Sequence, residues 1–232
     1  LREGTNGELL AGLESDGDTP PDFNVDFPLS VHFLDKNQDV LMAGDESIVM
    51  TVNGIDFVVS PQSFFQVNLA QTQAMVSYVL ENCALSSSTR VLDLYCGVGL
   101  FSAFLAPKVK EVIGMELSES ACNDYATNLD MYDNVSLYMG KVEEIIPHLN
   151  AEPDLVIVDP PRAGLNKRVV EYLIARAPAQ LIYVSCDPST LARDCQRLIE
   201  GGFLIRKIQP FDLFPQTYHV ETVITFHHAH GN

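Results

Sequence analysis

The chain has 232 residues, 47% of them hydrophobic, and a formal net charge of -17; that length fits one sizeable domain plus an appendage, or two small domains. No apolar run reaches the ~18 residues of a membrane span, and the opening Leu-Arg-Glu-Gly lacks a signal-peptide pattern, so a cytoplasmic, membrane-free protein is expected. Five cysteines, odd in number, widely spaced and without a CxxC pair, argue against a disulfide framework or a zinc site, and the acid excess argues against a broad basic nucleic-acid face.

Charge is unevenly spread. Residues 1–60 carry twelve acidic side chains against Arg2 and Lys36, whereas from Arg162 to the end eight basic side chains meet six acidic ones. Only the C-terminal part can face a polyanion.

The chain opens without Met and already inside a strand-like pattern at residues 7–14, so a piece of a longer protein is expected. Residues 16–21 read as a polar loop and 33–44 as mixed. Residues 48–52 and 55–60 flank Asn53-Gly54, the strongest short-range hairpin signal. Residues 1–60 are thus expected to form a small, acidic, β-rich appendage, and residues 61–232 the main domain.

From residue 64 to 80 apolar positions recur at helical spacing. Next come a strand at 91–95, a helix at 100–106, a strand at 111–116, a helix at 118–129, a strand at 135–138 and a helix around 142–149. A strand at 155–158, a helix at 167–176, a strand at 181–184, a helix at 189–199 and strands at 204–208 and 222–226 complete the chain. This alternation predicts an α/β fold with a mostly parallel, doubly wound sheet.

In such sheets ligands bind beyond the carboxyl ends of the strands, so the residues just after each strand are the candidates for a site. Asp93-Leu94-Tyr95-Cys96-Gly97-Val98-Gly99 joins a strand to a helix through glycines that allow a tight turn and close approach to a nucleotide. The run continues to Ser102, so the third glycine of the dinucleotide fingerprint is missing. Glu116 ends the next strand, 23 residues after Asp93, close to the spacing of an acid that holds ribose hydroxyls. Asp159-Pro160-Pro161-Arg162 forms a rigid ledge, since two prolines fix the turn and donate no backbone hydrogen bonds. Cys186 ends the strand at 181–184 in a Ser-Cys-Asp-Pro turn and is the candidate nucleophile. Most free cysteines merely pack, and Cys96 is expected to do so. Phe214 and Pro215 read as packing for the turn before Glu221, and His227, His228 and His230 as solvated or adventitious rather than a metal site.

Taken together, residues 63–68 (SFFQVN), 93–99, 159–165 (DPPRAGL), 184–188 (VSCDP) and 212–223 (DLFPQTYHVETV) resemble the RNA uracil-5 methyltransferases, which make 5-methyluridine in ribosomal and transfer RNA. The resemblance spans residues 61 to about 226, with every motif in order. It implies a Rossmann-like methyltransferase fold with a seven-stranded sheet, S-adenosyl-L-methionine as cofactor, an RNA substrate and no metal in this stretch; a monomer is expected. It also implies that Gln66, Tyr95, Gly97, Gly99, Glu116 and Asp159 bind the cofactor, that Cys186 is the nucleophile and that Glu221 is the general base. Asp187 stands where Asn is the commoner spelling, and Leu100 and Lys141 where some members carry Asn or another polar residue. Family members usually add an N-terminal RNA-binding barrel, some with cysteines for an iron-sulfur cluster; neither is visible here. Two other readings remain: a methyltransferase for another nucleobase position, and a cofactor-binding RNA module inactive without an upstream domain.

Overall fold

The computed structural model describes residues 1–14, 24–34 and 39–228. The expected polar loop at 16–21 and His230 lie outside them. Strands β1 (Arg2–Glu3), β2 (Leu9–Glu14), β3 (Ser30–Leu34) and β4 (Asp39–Ala43) form a four-stranded sheet in chain order, with β2 and β3 parallel and the other pairs antiparallel. The stretch that is mixed in sequence, 33–44, thus contributes to two paired strands.

Strands β5 (Ile48–Val52) and β6 (Ile55–Val59) form the expected hairpin. Asn53 (φ 46) and Gly54 (φ 82) both take the left-handed conformation that a tight two-residue turn demands. Period-2 alternation buries Ile48, Met50, Val52, Phe57 and Val59, and these side chains join the core beneath helices α1 (Leu69–Asn82), α2 (Leu100–Leu105) and α3 (Glu119–Leu129). Polar contacts tie the hairpin to α3. Asn128 accepts from Val58 N–H at 2.8 Å, and Asp124 accepts from Ser60 N–H at 2.9 Å and from Ser60 Oγ at 2.6 Å.

The main sheet has the order β12-β13-β11-β10-β7-β8-β9. Its strands are β7 (Arg90–Leu94), β8 (Glu111–Glu116), β9 (Val135–Met139), β10 (Leu155–Val158), β11 (Gln180–Ser185), β12 (Phe203–Phe211) and β13 (Glu221–His228). Strands β7 to β11 pair in parallel, and β13 runs antiparallel to both β11 and β12. The central strands are near-continuous apolar runs because both faces are covered. Leu155 and Ile157 point to the side of α1–α3, whereas Val156 and Val158 join the layer containing α4 (Val142–Ile145), α5 (Lys167–Arg176) and α6 (Pro188–Glu200).

The largest differences from the expected boundaries are two. The helix expected over 64–80 starts at Leu69, because Asn68 caps it by accepting from Gln71 N–H, which leaves 61–67 as a loop. The stretch expected as one helix over 142–149 is a short α-helix and then a 3-10 turn at Ile146–His148, where Pro147 cannot donate an α-helical hydrogen bond. His227 and His228 are also not solvated tail residues. They belong to β13, half-buried, with the His228 ring 5.2 Å from the Phe203 ring.

Candidate active site

Strand β7 hands over to α2 through Tyr95, Cys96, Gly97, Val98 and Gly99. Tyr95 is held at φ 63, costly for a bulky residue, and its N–H and that of Cys96 both donate to Met115 O. Such strain persists only where the surroundings fix it, and it gathers at ligand sites. Glu116, at the end of β8, fastens the loop: its Oε2 accepts from Gly97 N–H at 3.0 Å and its Oε1 from Leu117 and Ser118 N–H at 2.8 Å each. A carboxylate has about four lone-pair sites, so it retains capacity for a ligand hydroxyl.

The two glycines do different things. Gly97 (φ 53) lines a cavity, and a Cβ there would meet no atom within 4 Å. Gly99 (φ 92) does not line the cavity; a Cβ there would collide with Leu129 and Tyr125 of α3, so it serves helix packing and the αL turn.

That cavity measures about 880 Å³ and opens at the carboxyl edge of the sheet. Gln66, Tyr95, Gly97, Glu116, Asp159, Cys186 and Glu221 all line it, as do Leu100 and Lys141. Lys141 turns its ammonium to Glu144 at 3.1 Å. The loop at 61–67 brings Phe64 and Phe65 as well as Gln66, whose buried Oε1 lacks a protein partner. A buried acceptor left unpaired costs free energy until a donor arrives, so Gln66 fits a ligand that brings an N–H or O–H.

Cys186 and Glu221 are 35 positions apart in sequence, yet both line the cavity, Cys186 just after β11 and Glu221 at the start of β13. Strand β11 pairs with β13 from Gln180↔His227 to Ser185↔Thr222, and the next step of that register sets Cys186 opposite Glu221. The thiol is half-buried and Glu221 is buried. Burial pushes the Glu221 carboxyl up to about 7. Burial also raises Asp159 well above the ordinary carboxylate range, and the nearby carboxylates of Glu221, Asp93 and Glu116 act in the same direction. The Cys186 thiol is raised by burial and then by Glu221 and Asp159, while Arg162 pulls it down.

The ledge after β10 is pinned by a residue that no sequence motif singles out. Asp194 of α6, fully buried, accepts from Leu165 N–H at 2.7 Å and from the Tyr183 hydroxyl at 2.9 Å, and pairs with Arg193. A signal for it does exist: Leu191, Asp194, Cys195 and Leu198 share one buried stripe, and a carboxylate there needs partners. Asp187 caps α6 by accepting from Thr190 N–H at 2.8 Å, which fixes the turn that carries Cys186. Phe214, expected only to pack, and His219 also line the cavity. Cys96 lies buried beside it, its thiol pushed well above the usual value by burial.

Among the described residues no group of three or more His, Cys, Asp or Glu could hold a metal ion, and no helix is long and apolar enough to cross a membrane.

Known proteins are similar to this chain in sequence and fold. Proteins named as uncharacterized RNA methyltransferases from Enterococcus faecalis and Clostridium tetani are each 41% identical, over 84% and 81% of this chain. The chain spans 44% and 42% of those relatives' own length. The structure of the Pyrococcus abyssi tRNA (uracil-54, C5)-methyltransferase, solved with S-adenosyl-L-homocysteine, superposes with a TM-score of 0.78 at 32% identity, over 97% of this chain and 58% of that one. The M. jannaschii tRNA m1G37 methyltransferase, at 12% identity and a TM-score of 0.61 over 86% of this chain and 63% of that one, shares the fold alone. The sequence profile described as tRNA (Uracil-5-)-methyltransferase matches residues 37–154 and 149–229. The chain belongs to the tRNA (uracil-5-)-methyltransferase family.

Proposed function

We propose that this chain is the catalytic part of an S-adenosyl-L-methionine-dependent RNA methyltransferase that modifies C5 of a uridine through a covalent bond from Cys186 to C6. The observation that carries the reading is the meeting of Cys186 and Glu221 across β11 and β13, at a cavity that also holds the strained glycine loop and Glu116.

The cavity volume falls within the range of ordinary ligand sites. In this reading Gly97 leaves room for the cofactor, Glu116 accepts its ribose hydroxyls, and Gln66, Tyr95 and Asp159 hold the rest. Gly99 supports the same loop through packing rather than contact. The cofactor supplies an electrophilic sulfonium methyl group.

Uracil C5 is too poor a nucleophile to take that methyl unaided. The Cys186 thiolate adds to C6, and the C5–C6 π pair moves to C5 and O4 as an enolate. C5 then bonds to the methyl carbon, whose bond to sulfur breaks. Glu221, as the carboxylate, removes the proton left on C5; the C5=C6 bond re-forms and the thiolate leaves. Burial and the neighbouring carboxyls favour the protonated form of Asp159 at the cavity wall. Burial and the Glu221 and Asp159 carboxyls raise the Cys186 thiol, so forming the thiolate requires a base or a bound partner that offsets them. The base itself must leave its stack, which is easiest in a single-stranded loop.

Transfer of labelled methyl from S-adenosyl-L-methionine to uridine-containing RNA, with nucleoside analysis of the product, tests the reading. Wild type is expected to yield 5-methyluridine and Cys186→Ala to lose at least ~10³-fold in rate, as expected when a covalent nucleophile is removed. Methyl found on another base or position, or an active alanine variant, contradicts it.

A further inference from the structure

The segment between β12 and β13 presents a row of rings that the methyl-transfer steps do not use. The Phe214 ring lies 6.0 Å from that of His219, edge-on at 72°, and the His219 ring lies 4.1 Å from that of Tyr218 at 43°. Phe214 packs against the core, and His219 shares the cavity wall with it. Tyr218, at the outer end, is 85% exposed. A ring so exposed adds little to the fold, yet its support is ordered. Thr217 N–H and Oγ1 both donate to Phe214 O at 3.2 and 2.7 Å, His219 N–H donates to Thr217 Oγ1 at 3.2 Å, and Gln216 takes a left-handed φ of 65. The turn is built to hold Tyr218 out from the rim of the cavity, three residues before Glu221. Arg162 Nη2, 3.3 Å from His219 Nε2, sets a cation beside the row.

We propose that Tyr218, backed by His219, is a stacking platform for an unpaired RNA base that neighbours the base entering the cavity. The inference rests on the reading of this chain as an RNA methyltransferase. When a base leaves its stack, its neighbours lose a partner on one face, and a ring at the rim replaces that partner. Stacking tolerates any base because each has a π face, so Tyr218 directs the path of the strand rather than reading its sequence. The positive edge supplied by Arg162 suits the adjoining phosphates, and it belongs to the part of the chain where basic residues outnumber acidic ones.

The test compares wild type, Tyr218→Ala and Tyr218→Phe for affinity and KM toward a single-stranded uridine-containing oligonucleotide. Each is also compared on the same oligonucleotide with abasic sugars flanking the target uridine. The alanine variant is expected to weaken binding and raise KM about 5- to 150-fold, the range carried by one base–aromatic stack. The phenylalanine variant retains most of the affinity, S-adenosyl-L-methionine binding stays the same in all three, and the abasic RNA binds wild type and alanine variant alike. Alanine and wild-type proteins that methylate uridine with equal KM overturn the platform alone. A loss in the alanine variant that persists undiminished on abasic RNA overturns it too, in favour of a structural role or another partner. Wild type that neither binds nor methylates uridine RNA contradicts the functional reading and the platform with it.

Discussion

Glu221 is buried at the rim that also carries Asp159 and the Cys186 thiol, and that burial has consequences for both stability and rate. Glu221 ionises near 4.5 when free and near 7 in the fold, so the folded chain holds the extra proton between those values. Its contribution to stability is therefore full below about pH 4.5 and is lost as pH rises to about 7. Glu221→Gln mimics the neutral carboxyl. In thermal melts at pH 8 the variant is expected to exceed wild type in Tm by at least about 2–4 °C, the shift of roughly 1 kcal/mol for a chain of this size, with the gap closing toward pH 4.5. Equal Tm at pH 8 would show that Glu221 is not held in a dry site. In the proposed role of base Glu221 works only when ionised, so turnover and stability are expected to move in opposite directions over the same pH window. Sequence singles out Cys186 and Glu221 through the family's motifs, but a spacing of 35 residues says nothing about their meeting. That comes from the register of two antiparallel strands, which depends on side chains along their whole length.

At the scale of elements, strands and most helices are legible because their periods differ and their ends carry caps. The N-caps Asn68, Ser118, Asn166 and Asp187 each accept a backbone hydrogen bond within three residues. Periodicity does not reveal the reach of the hairpin. Composition sets its residues with the appendage, yet β5 and β6 bury their apolar face in the core of α1–α3. We propose on that ground that the catalytic unit takes in the hairpin from Ile48, with the four-stranded sheet joining the same core through Leu10. Asp194 shows the same limit, since its partners come from β11, from α6 and from the Asp159–Leu165 ledge. Asp194→Ala leaves Leu165 N–H and the Tyr183 hydroxyl without their acceptor in the interior. Denaturant unfolding is expected to report a loss of ~3–5 kcal/mol, as for a broken buried charge network, and a loss under ~1 kcal/mol would mean that water replaces the carboxylate.

For the whole molecule, the order β12-β13-β11-β10-β7-β8-β9 gathers the ends of β7, β8, β10 and β11 and the start of β13 at one edge. Five sequence motifs, each weak alone, become one cavity wall by that ordering. The parallel part is predictable from alternating strands and helices; the reversal of β13, which turns Glu221 toward Cys186, is not, because an antiparallel last strand looks like any other strand in sequence. On the proposed function, the charge of -17 confines RNA contacts of this chain to local features at this edge. The central claim is the bond from Cys186 to a uracil ring. Incubation with S-adenosyl-L-methionine and RNA containing 5-fluorouridine, which has no C5 proton for Glu221 to remove, and then peptide mass mapping, is the most direct measurement. A methylated nucleotide adduct on the peptide carrying Cys186 in wild type and none in Cys186→Ala is expected; an adduct on another residue, or one that survives in the alanine variant, contradicts it.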